Sequence, residues 1–151
     1  MHRMYLGKKI KTNIYNTGVV SRALSSQTFS EKGFDITPEQ YLILELLIDN
    51  DEMYQRQIAE ITHKDRANVA RIIKILKDKG LIEKIPQARG RRIYKIVVTE
   101  KGKKVKDEIY PTIIELRKIL YANISKEDLI TTFNTIQKIY ENAKDKVKLQ
   151  I

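Results

Sequence analysis

The order of local patterns between Ile58 and Gly102 limits the fold of this chain more than any other feature. Two helical patterns are joined by a short polar turn, and they are followed by a strand, an arginine-rich loop, a second strand and the start of a further helix. A helix pair followed directly by such a hairpin has the order of a winged helix-turn-helix, in which the second helix enters the major groove of DNA. The sequence therefore predicts this module.

The second helix of the predicted module has clear signals at both ends. Asp65 is suited to cap its amino terminus, and Gly80 is suited to let the chain turn after its last residue. Between them the sequence predicts a helix over Arg66–Lys79. Its apolar residues recur at intervals of three and four and define the side that faces the core, which holds Val69, Ile72, Ile73 and Leu76.

Most of the positive charge of the chain lies in this module. Residues 62–98 hold eleven Lys and Arg against three Asp and Glu, so they carry +8 of the formal net charge of +10. Double-stranded DNA carries one negative charge per about 1.7 Å of its axis, which makes it the partner that suits such a surface. We expect the chain to bind double-stranded DNA.

Further helices are predicted on both sides of the module. Residues 6–30 form one helical pattern, and Thr37-Pro38-Glu39-Gln40 has the capping residues of a helix over Pro38–Asp49. A long helix follows Thr99, and a last helix follows Ser125. The last helix has an apolar stripe that consists of Leu129, Phe133, Ile136, Tyr140, Ala143 and Val147.

The predicted fold class is mainly α with a small β-hairpin wing, an α+β winged helix-turn-helix with flanking dimerisation helices. We interpret residues 1–151 as a single domain in which residues 35–100 bind DNA, while residues 1–34 and 101–151 form the helical dimerisation part. The helices at the chain ends carry more apolar surface than one small winged helix can cover. A symmetric homodimer is the commonest solution to that problem, and we expect one here.

Composition excludes several other classes of protein. The longest apolar stretch is far shorter than the roughly 20 residues that span a bilayer, and no secretory signal follows the basic amino terminus. With zero Cys and two His, neither a metal site nor a cofactor is predicted, and His63 is interpreted as a turn residue. No activated nucleophile, phosphate-binding glycine loop or acid–base pair indicates an enzyme. The sequence predicts a cytoplasmic, non-enzymatic protein without a membrane segment.

The second helix of the module supplies the predicted contacts to bases and phosphates. At about 100° per residue, Ala67, Arg71 and Lys74 fall on the side opposite the apolar stripe, and Asn68 lies on its flank. The planar guanidinium of Arg71 matches guanine O6 and N7, Asn68 can pair with adenine, and Ala67 can touch a thymine methyl group. Lys74 and Arg66 are expected to hold phosphates, where a point charge suffices. A solvated amphipathic helix would show a similar pattern, and the surrounding module favours DNA.

The loop between the two predicted strands is the wing of the module. It places Arg89, Arg91 and Arg92 around Gly90 at the tip of the hairpin. A narrow minor groove has a negative field that attracts arginine, so these side chains are expected to contact the minor groove or phosphates. A merely solubilising loop is the alternative, and Arg92, which borders the second strand, could instead be structural.

The motifs ITPEQYLILELL, QIAEI, KDKGLIEK, an arginine pair and TEKGKKV follow one another over nearly the whole chain. Together they resemble the MarR family of bacterial transcriptional regulators. The resemblance implies an obligate homodimer that presents two winged helices to a pseudo-palindromic site, usually as a repressor. It also implies, in many members, a small anionic or phenolic ligand that binds between the dimerisation and DNA-binding parts and releases DNA.

Two positions depart from the family pattern. Gly90 stands where members usually have an acidic residue before the wing arginine pair, and His63 stands nearest the place of the usual glycine in the turn between the two helices. A carboxylate at the first position would help to orient the neighbouring arginines. Its replacement by glycine predicts a wing tip that is mobile until DNA orders it.

Two other functions remain open from the sequence. A sequence-indifferent architectural protein would use the same basic surface without preferring any site, and a protein-binding antagonist would keep the fold with weakened DNA binding. A regulator is expected to prefer its site by about 10³-fold or more, which separates it from the architectural protein. Absence of duplex binding at low salt would favour the antagonist.

Overall fold

Helices make up most of the described chain, and a small sheet lies near its middle. The computed structural model describes residues 3–87 and 93–147. Within these residues lie six helices and three strands, in the order α1 (Arg3–Glu31), α2 (Pro38–Asp49), β1 (Met53–Tyr54), α3 (Gln55–Thr62), α4 (Arg66–Asp78), β2 (Ile82–Pro86), β3 (Tyr94–Val98), α5 (Glu100–Leu120) and α6 (Lys126–Lys144). The fold is a winged helix-turn-helix with additional helices at both ends, which confirms the predicted fold class.

The start of α2 shows how local sequence determines a helix end. The Thr37 hydroxyl accepts a hydrogen bond from the Gln40 amide at 3.2 Å, and the Gln40 side-chain oxygen accepts one from the Thr37 amide at 3.1 Å. Pro38 occupies the first helical position, where an amide would have no intrahelical partner. This reciprocal capping box confirms the predicted start of α2.

The core lies between α2, α3, α4 and the sheet. The predicted stripe of α4 is buried, and each of its four members is at most 1% exposed. Burial of such aliphatic side chains stabilises the fold by about 1.5–3 kcal/mol each. The core partners of this stripe are Ile43, Leu44, Leu47, Ile58 and Ile96, which are also at most 1% exposed. One side of α4 is therefore held firmly in the core, so its opposite side faces solvent.

Tyr41 is a buried phenol where α1 meets α2. It is 3% exposed, and its ring packs edge-on against Phe29, with the two ring centroids 6.1 Å apart. Burial raises the pKa of Tyr41 to about 12, and the nearby Glu45 carboxylate adds to the effect. The phenol therefore stays protonated at neutral pH and donates to Glu45 Oε1 at 3.5 Å.

The three strands form an antiparallel sheet in the order β1-β3-β2. Ile82 lies opposite Val98, and the register continues to the Pro86–Tyr94 pair, so β2 and β3 are the strands of the predicted wing hairpin. β1 was not predicted, because two residues are too few to show an alternating pattern. It pairs with β3 and joins the chain before α3 to the base of the hairpin.

The first turn of α5 packs directly against the turn that follows α4. Thr99 Oγ1 donates to the Gly80 carbonyl at 2.8 Å, and the Thr99 amide donates to the Leu81 carbonyl at 3.1 Å. Lys101 Nζ donates to the Lys79 carbonyl at 2.7 Å. Gly80 has a φ of 73°, a left-handed conformation that glycine adopts without strain. These contacts hold α4, the hairpin and α5 in one arrangement.

Replacing Gly102 with alanine is expected to destabilise this junction. A Cβ atom at Gly102 would overlap the Leu81 carbonyl oxygen and lie 2.6 Å from Val98 Cγ1. The first of these neighbours is backbone and cannot rotate away, so α5 would have to shift. We expect urea denaturation to show a free energy of unfolding that is lower by about 1–3 kcal/mol. Lys104→Ala, at an exposed position of the same helix, is the control and should change it by no more than about 0.5 kcal/mol. Equal effects of the two substitutions would mean that α5 does not pack tightly at Gly102.

α1 and α6 carry large apolar side chains that a single chain leaves exposed. α6, which lies wholly within the described residues, buries none of its side chains. Its exposed apolar residues are Ile130, Phe133, Ile136, Ile139 and Tyr140, and those of α1 include Met4, Leu6, Ile10, Ile14, Tyr15 and Val20. The predicted stripe of α6 is therefore present, but its own chain does not cover it.

Candidate nucleic-acid interface

A left-handed residue sets the turn between α3 and α4. His63 has φ 52° and ψ 29° directly after α3. Histidine is among the non-glycine residues that adopt this conformation more often than most, so it can take the place of a glycine. The interpretation of His63 as a turn residue is confirmed. Asp65 follows and accepts a hydrogen bond from the Asn68 amide at 2.8 Å, which confirms the predicted cap of α4.

α4 presents a row of exposed residues on the side opposite the core. The row consists of Ala67, Arg71, Lys74 and Asp78, which are all exposed and are spaced by four, three and four residues. Arg66 is also exposed beside the row, and Asn68 is half-buried on its flank. A helix with side chains is about 10–12 Å wide, which matches a major groove about 12 Å wide. The structure thus places five of the predicted contact residues on or beside one accessible side of α4.

Two side chains that were predicted to contact bases are linked to each other. Arg71 Nη2 donates to Asn68 Oδ1 at 3.0 Å. The partner is a neutral amide, so Arg71 keeps its full charge and its remaining N–H donors. The bond limits the positions of a long side chain that would otherwise lose conformational freedom on binding. Arg71 is therefore partly preorganised before any DNA arrives.

Carboxylates lie beside two lysines near this surface. Lys64 Nζ lies 2.9 Å from Glu39 Oε1, and only 17% of the Lys64 side chain is exposed, so this pair joins the turn to α2. Lys74 Nζ lies 2.6 Å from Asp78 Oδ2, and both side chains are well exposed. From the sequence, neither pair was predicted. The spacing of Lys74 and Asp78, four residues apart on a helix, was the signal that could have indicated their pairing.

The described part of the wing hairpin ends at Gln87 and resumes at Ile93. The Gln87 amide donates to the Ile93 carbonyl at 3.1 Å, one step beyond the last strand pair. The two strands therefore stay together up to the edge of the described residues. The remaining predicted contacts, Arg89, Arg91 and Arg92, lie outside the described residues and stay predictions.

A cleft of about 480 Å³ separates α1 from α4 and the start of α2. Arg22, Lys64 and Arg71 bring positive charge to its walls from three separate parts of the chain, and Glu39 brings one carboxylate. Leu42 and other side chains add apolar surface, and α1 adds serine hydroxyls. Arg71 therefore lies both in the exposed row of α4 and in the wall of the cleft. Residue patterns could not predict this cleft, because its walls are distant in sequence.

Neither a metal centre nor a membrane span is found in residues 3–87 and 93–147. In that part of the chain no group of three or more His, Asp and Glu residues is placed to hold a metal ion. No helix there has both the length and the apolar character needed to cross a membrane.

Comparison with known proteins identifies the same module. The sequence model of the MarR family matches residues 34–93, which include the helix-turn-helix and the first strand of the hairpin. The HTH-type transcriptional regulator YybA of Bacillus subtilis strain 168 is 42% identical over 89 residues, and the match covers 58% of this chain. The same match spans 59% of the length of YybA. This relative is an uncharacterised HTH-type transcriptional regulator.

Solved structures share the fold over nearly the whole chain. The transcriptional regulator SlyA is 26% identical with a TM-score of 0.79, and the match covers 91% of this chain and 95% of that one. A mutant MarR from E. coli, solved in complex with operator DNA, is 16% identical with a TM-score of 0.78. That match covers 92% of this chain and 99% of the MarR chain, and at this identity it shows the fold alone.

Proposed function

We propose that this chain is a transcriptional regulator of the MarR family that binds a specific DNA site as a homodimer, and the match of the family model to residues 34–93 supports the assignment. The observation that carries the proposal is the exposed row of α4, in which Arg71 is linked to Asn68 on a helix held in the core from its other side. Arg71 would contact guanine, Asn68 adenine and Ala67 a thymine methyl group. Arg66 and Lys74 would contact phosphates.

The proposed regulator has two functional parts. Residues 35–100 bind DNA, and residues 1–34 and 101–151 form the dimerisation part. The exposed apolar side chains of α1 and α6 support this division, since contiguous apolar surface on a soluble protein marks an interaction site. A second copy of the chain supplies a matching surface, because a two-fold interface pairs the same patch on both subunits.

In the homodimer, two copies of α4 related by a two-fold axis would read an inverted repeat. We expect the half-site centres to lie about one helical turn, 10–10.5 base pairs, apart. Selection of preferred sites from random DNA tests the proposal directly. The expected product is an inverted repeat that binds about 10³-fold or more tightly than random duplex. Equal binding of all sequences would instead establish a sequence-indifferent architectural protein, and no duplex binding at low salt would favour a protein-binding antagonist.

A repressor that is released by a small ligand is the finer form of the proposal. The cleft between α1 and α4 supports it, because three basic side chains converge there beside apolar surface and suit a small anionic or phenolic molecule. A ligand that engages Arg71 in this cleft would compete with DNA for the same guanidinium. A panel of aromatic carboxylates and phenols tests this idea through thermal unfolding and release of the selected duplex. Arg22→Ala should remove both responses without loss of DNA binding by the unliganded protein.

The wing arginines are expected to add affinity without sequence preference. Replacing Arg89 and Arg91 with alanine removes two positive charges from the predicted wing, so binding to the selected site and to random duplex should weaken alike. The slope of log affinity against log salt should become shallower by about 0.9 for each phosphate that a subunit no longer neutralises. Titrations over a range of salt concentrations measure this change. An unchanged slope would mean that the wing does not touch the backbone.

A further inference from the structure

The exposed row of α4 ends in a carboxylate that helix stability does not explain. Asp78 is the last residue of α4, and 59% of its side chain is exposed. A negative charge at this end of a helix faces the negative end of the helix dipole, which is unfavourable. Its pair with Lys74 has the acid after the base, which is the weaker of the two orientations four residues apart. An aspartate at this position therefore calls for another explanation.

We propose that Asp78 is a specificity-determining residue that weakens binding to non-matching DNA by neutralising Lys74. The inference rests on the proposed function, in which α4 enters the major groove. Lys74 Nζ lies 2.6 Å from Asp78 Oδ2, so the carboxylate offsets the lysine charge and competes with a phosphate for its N–H donors. Arg71 is different, because its hydrogen-bond acceptor is the neutral side-chain amide of Asn68. This partner does not neutralise the charge of Arg71.

The row therefore has two halves of different charge. Arg71, with Arg66 beside the row, makes the amino-terminal half positive, whereas Lys74 and Asp78 cancel each other in the carboxy-terminal half. Asp78 lies seven residues beyond Arg71, which is about 10 Å along the helix axis. With Arg71 at the base edges, Asp78 approaches the rim of the groove, where the phosphates lie. A carboxylate at that place repels the backbone of every sequence.

Matching and non-matching DNA respond differently to this charge. On non-matching DNA the protein is held by phosphate contacts alone and is free to shift toward any phosphate within reach. On a matching site the contacts of Arg71 and Asn68 to bases determine the position of α4, so a freed lysine adds less affinity. Phosphate contacts position the protein without carrying sequence information. Asp78 thus affects discrimination without touching a base.

Asp78→Asn tests the proposal, because it removes the charge and keeps the shape of the side chain. At low salt the affinity for random duplex should rise about two- to tenfold. Its salt dependence should steepen by about 0.9 in slope for each additional phosphate that the protein neutralises. Affinity for the selected site should rise less, so the ratio of the two affinities falls. Glu141→Gln is the matched control: it makes the same change in charge and also removes the partner of a lysine, Lys144, but on α6. It should leave the ratio unchanged.

A double-mutant cycle separates the pair from a general effect of charge. Lys74→Ala should cost more affinity for random duplex when residue 78 is asparagine than when it is aspartate, because the unpaired lysine binds phosphate without competition from a carboxylate. Additive effects of the two substitutions would overturn the proposal. The full-length chain is used throughout, and circular dichroism shows whether each variant keeps its helices.

The outcomes distinguish this inference from the proposed function. If Asp78→Asn leaves the affinity for random duplex unchanged, the inference is overturned. The proposed function still holds in that case, provided that the unmodified chain binds its selected site. Loss of affinity for the selected site, with altered preference at one base pair, also overturns it, because Asp78 then reads a cytosine amino group. No duplex binding by the unmodified chain overturns the proposed function and this inference with it.

Discussion

Phe133→Glu combined with Ile136→Glu on α6 is expected to convert the proposed homodimer into monomers. Both side chains belong to the apolar stripe of α6, and they are 67% and 47% exposed in a single chain. A second copy that covers the stripe would have to bury four added carboxylates in the dimer, at a cost of several kcal/mol for each uncompensated charge. Sedimentation at micromolar concentration should then show a monomer. Glutamate forms helix well, so α6 itself should remain.

The same variant should lose most of its affinity for the inverted repeat. Two linked recognition helices bind two half-sites with an avidity that exceeds single-site binding by about 10²–10⁴-fold. A monomer keeps one α4 and one set of base contacts. It should therefore bind a half-site weakly, and it should gain little affinity from the second half of the repeat. Titration of the full repeat and of a half-site measures both effects.

Asn134→Glu combined with Lys138→Gln is the matched control. It changes the charge of the same helix by the same amount, but at two exposed polar positions that lie away from the stripe. This variant should remain dimeric and should bind DNA as the unmodified chain does. A dimer in both variants would place the interface elsewhere, and monomers in both would show that charge on α6, rather than the stripe, governs assembly.

Local signals in the sequence predicted the parts of the fold that short stretches of chain determine. The capping box at Thr37, the cap at Asp65 and the left-handed turn at His63 each involve residues within three or four positions of one another. The buried stripe of α4 follows from helical spacing alone, and so does the exposed side that carries Arg71. These are the features that position the candidate site.

Features that depend on distant parts of the chain could not be predicted in the same way. β1 becomes a strand only because β3 lies beside it, and two residues carry no periodicity of their own. Arg22 of α1 and Arg71 of α4 both line the cleft between these helices, and no local pattern in the sequence indicates this. Gly102 lies so close to the Leu81 backbone that no side chain fits there, which explains why glycine stands in the TEKG motif. From the sequence, this motif indicated only a resemblance to a family.

The stripe of α6 illustrates an intermediate case. Its spacing was predicted from the sequence, but spacing does not say which surface covers it. Within one chain, the ring of Tyr140 contacts the ring of His63, and the two ring centroids are 5.5 Å apart. Phe133, in contrast, is mostly exposed. Because one chain leaves the stripe open, the homodimer stays a proposal that the glutamate variants decide.

Arg71→Ala is expected to weaken binding to the selected site by about 1–3 kcal/mol for each half-site. The variant loses a planar guanidinium whose two N–H donors match guanine. In the unmodified chain the hydrogen bond to Asn68 already restricts the position of this guanidinium. Sequence preference should relax at one base pair in each half-site, while binding to random duplex should change much less. A repeated selection from random DNA with the variant identifies the relaxed position, and titration of the original site gives the energy.

Two further substitutions separate the shape of Arg71 from its charge. Arg71→Lys keeps the charge but not the planar fork, so it should lose the base preference while its salt dependence stays unchanged. Lys77→Ala removes one positive charge from an exposed position of α4 outside the row, and it should leave the preference intact. If Arg71→Ala instead weakens binding to all sequences equally and Arg71→Lys restores it, Arg71 holds a phosphate. The base contacts would then have to come from Asn68 and Ala67. Because these side chains are short, α4 would have to lie deeper in the groove for them to touch the bases.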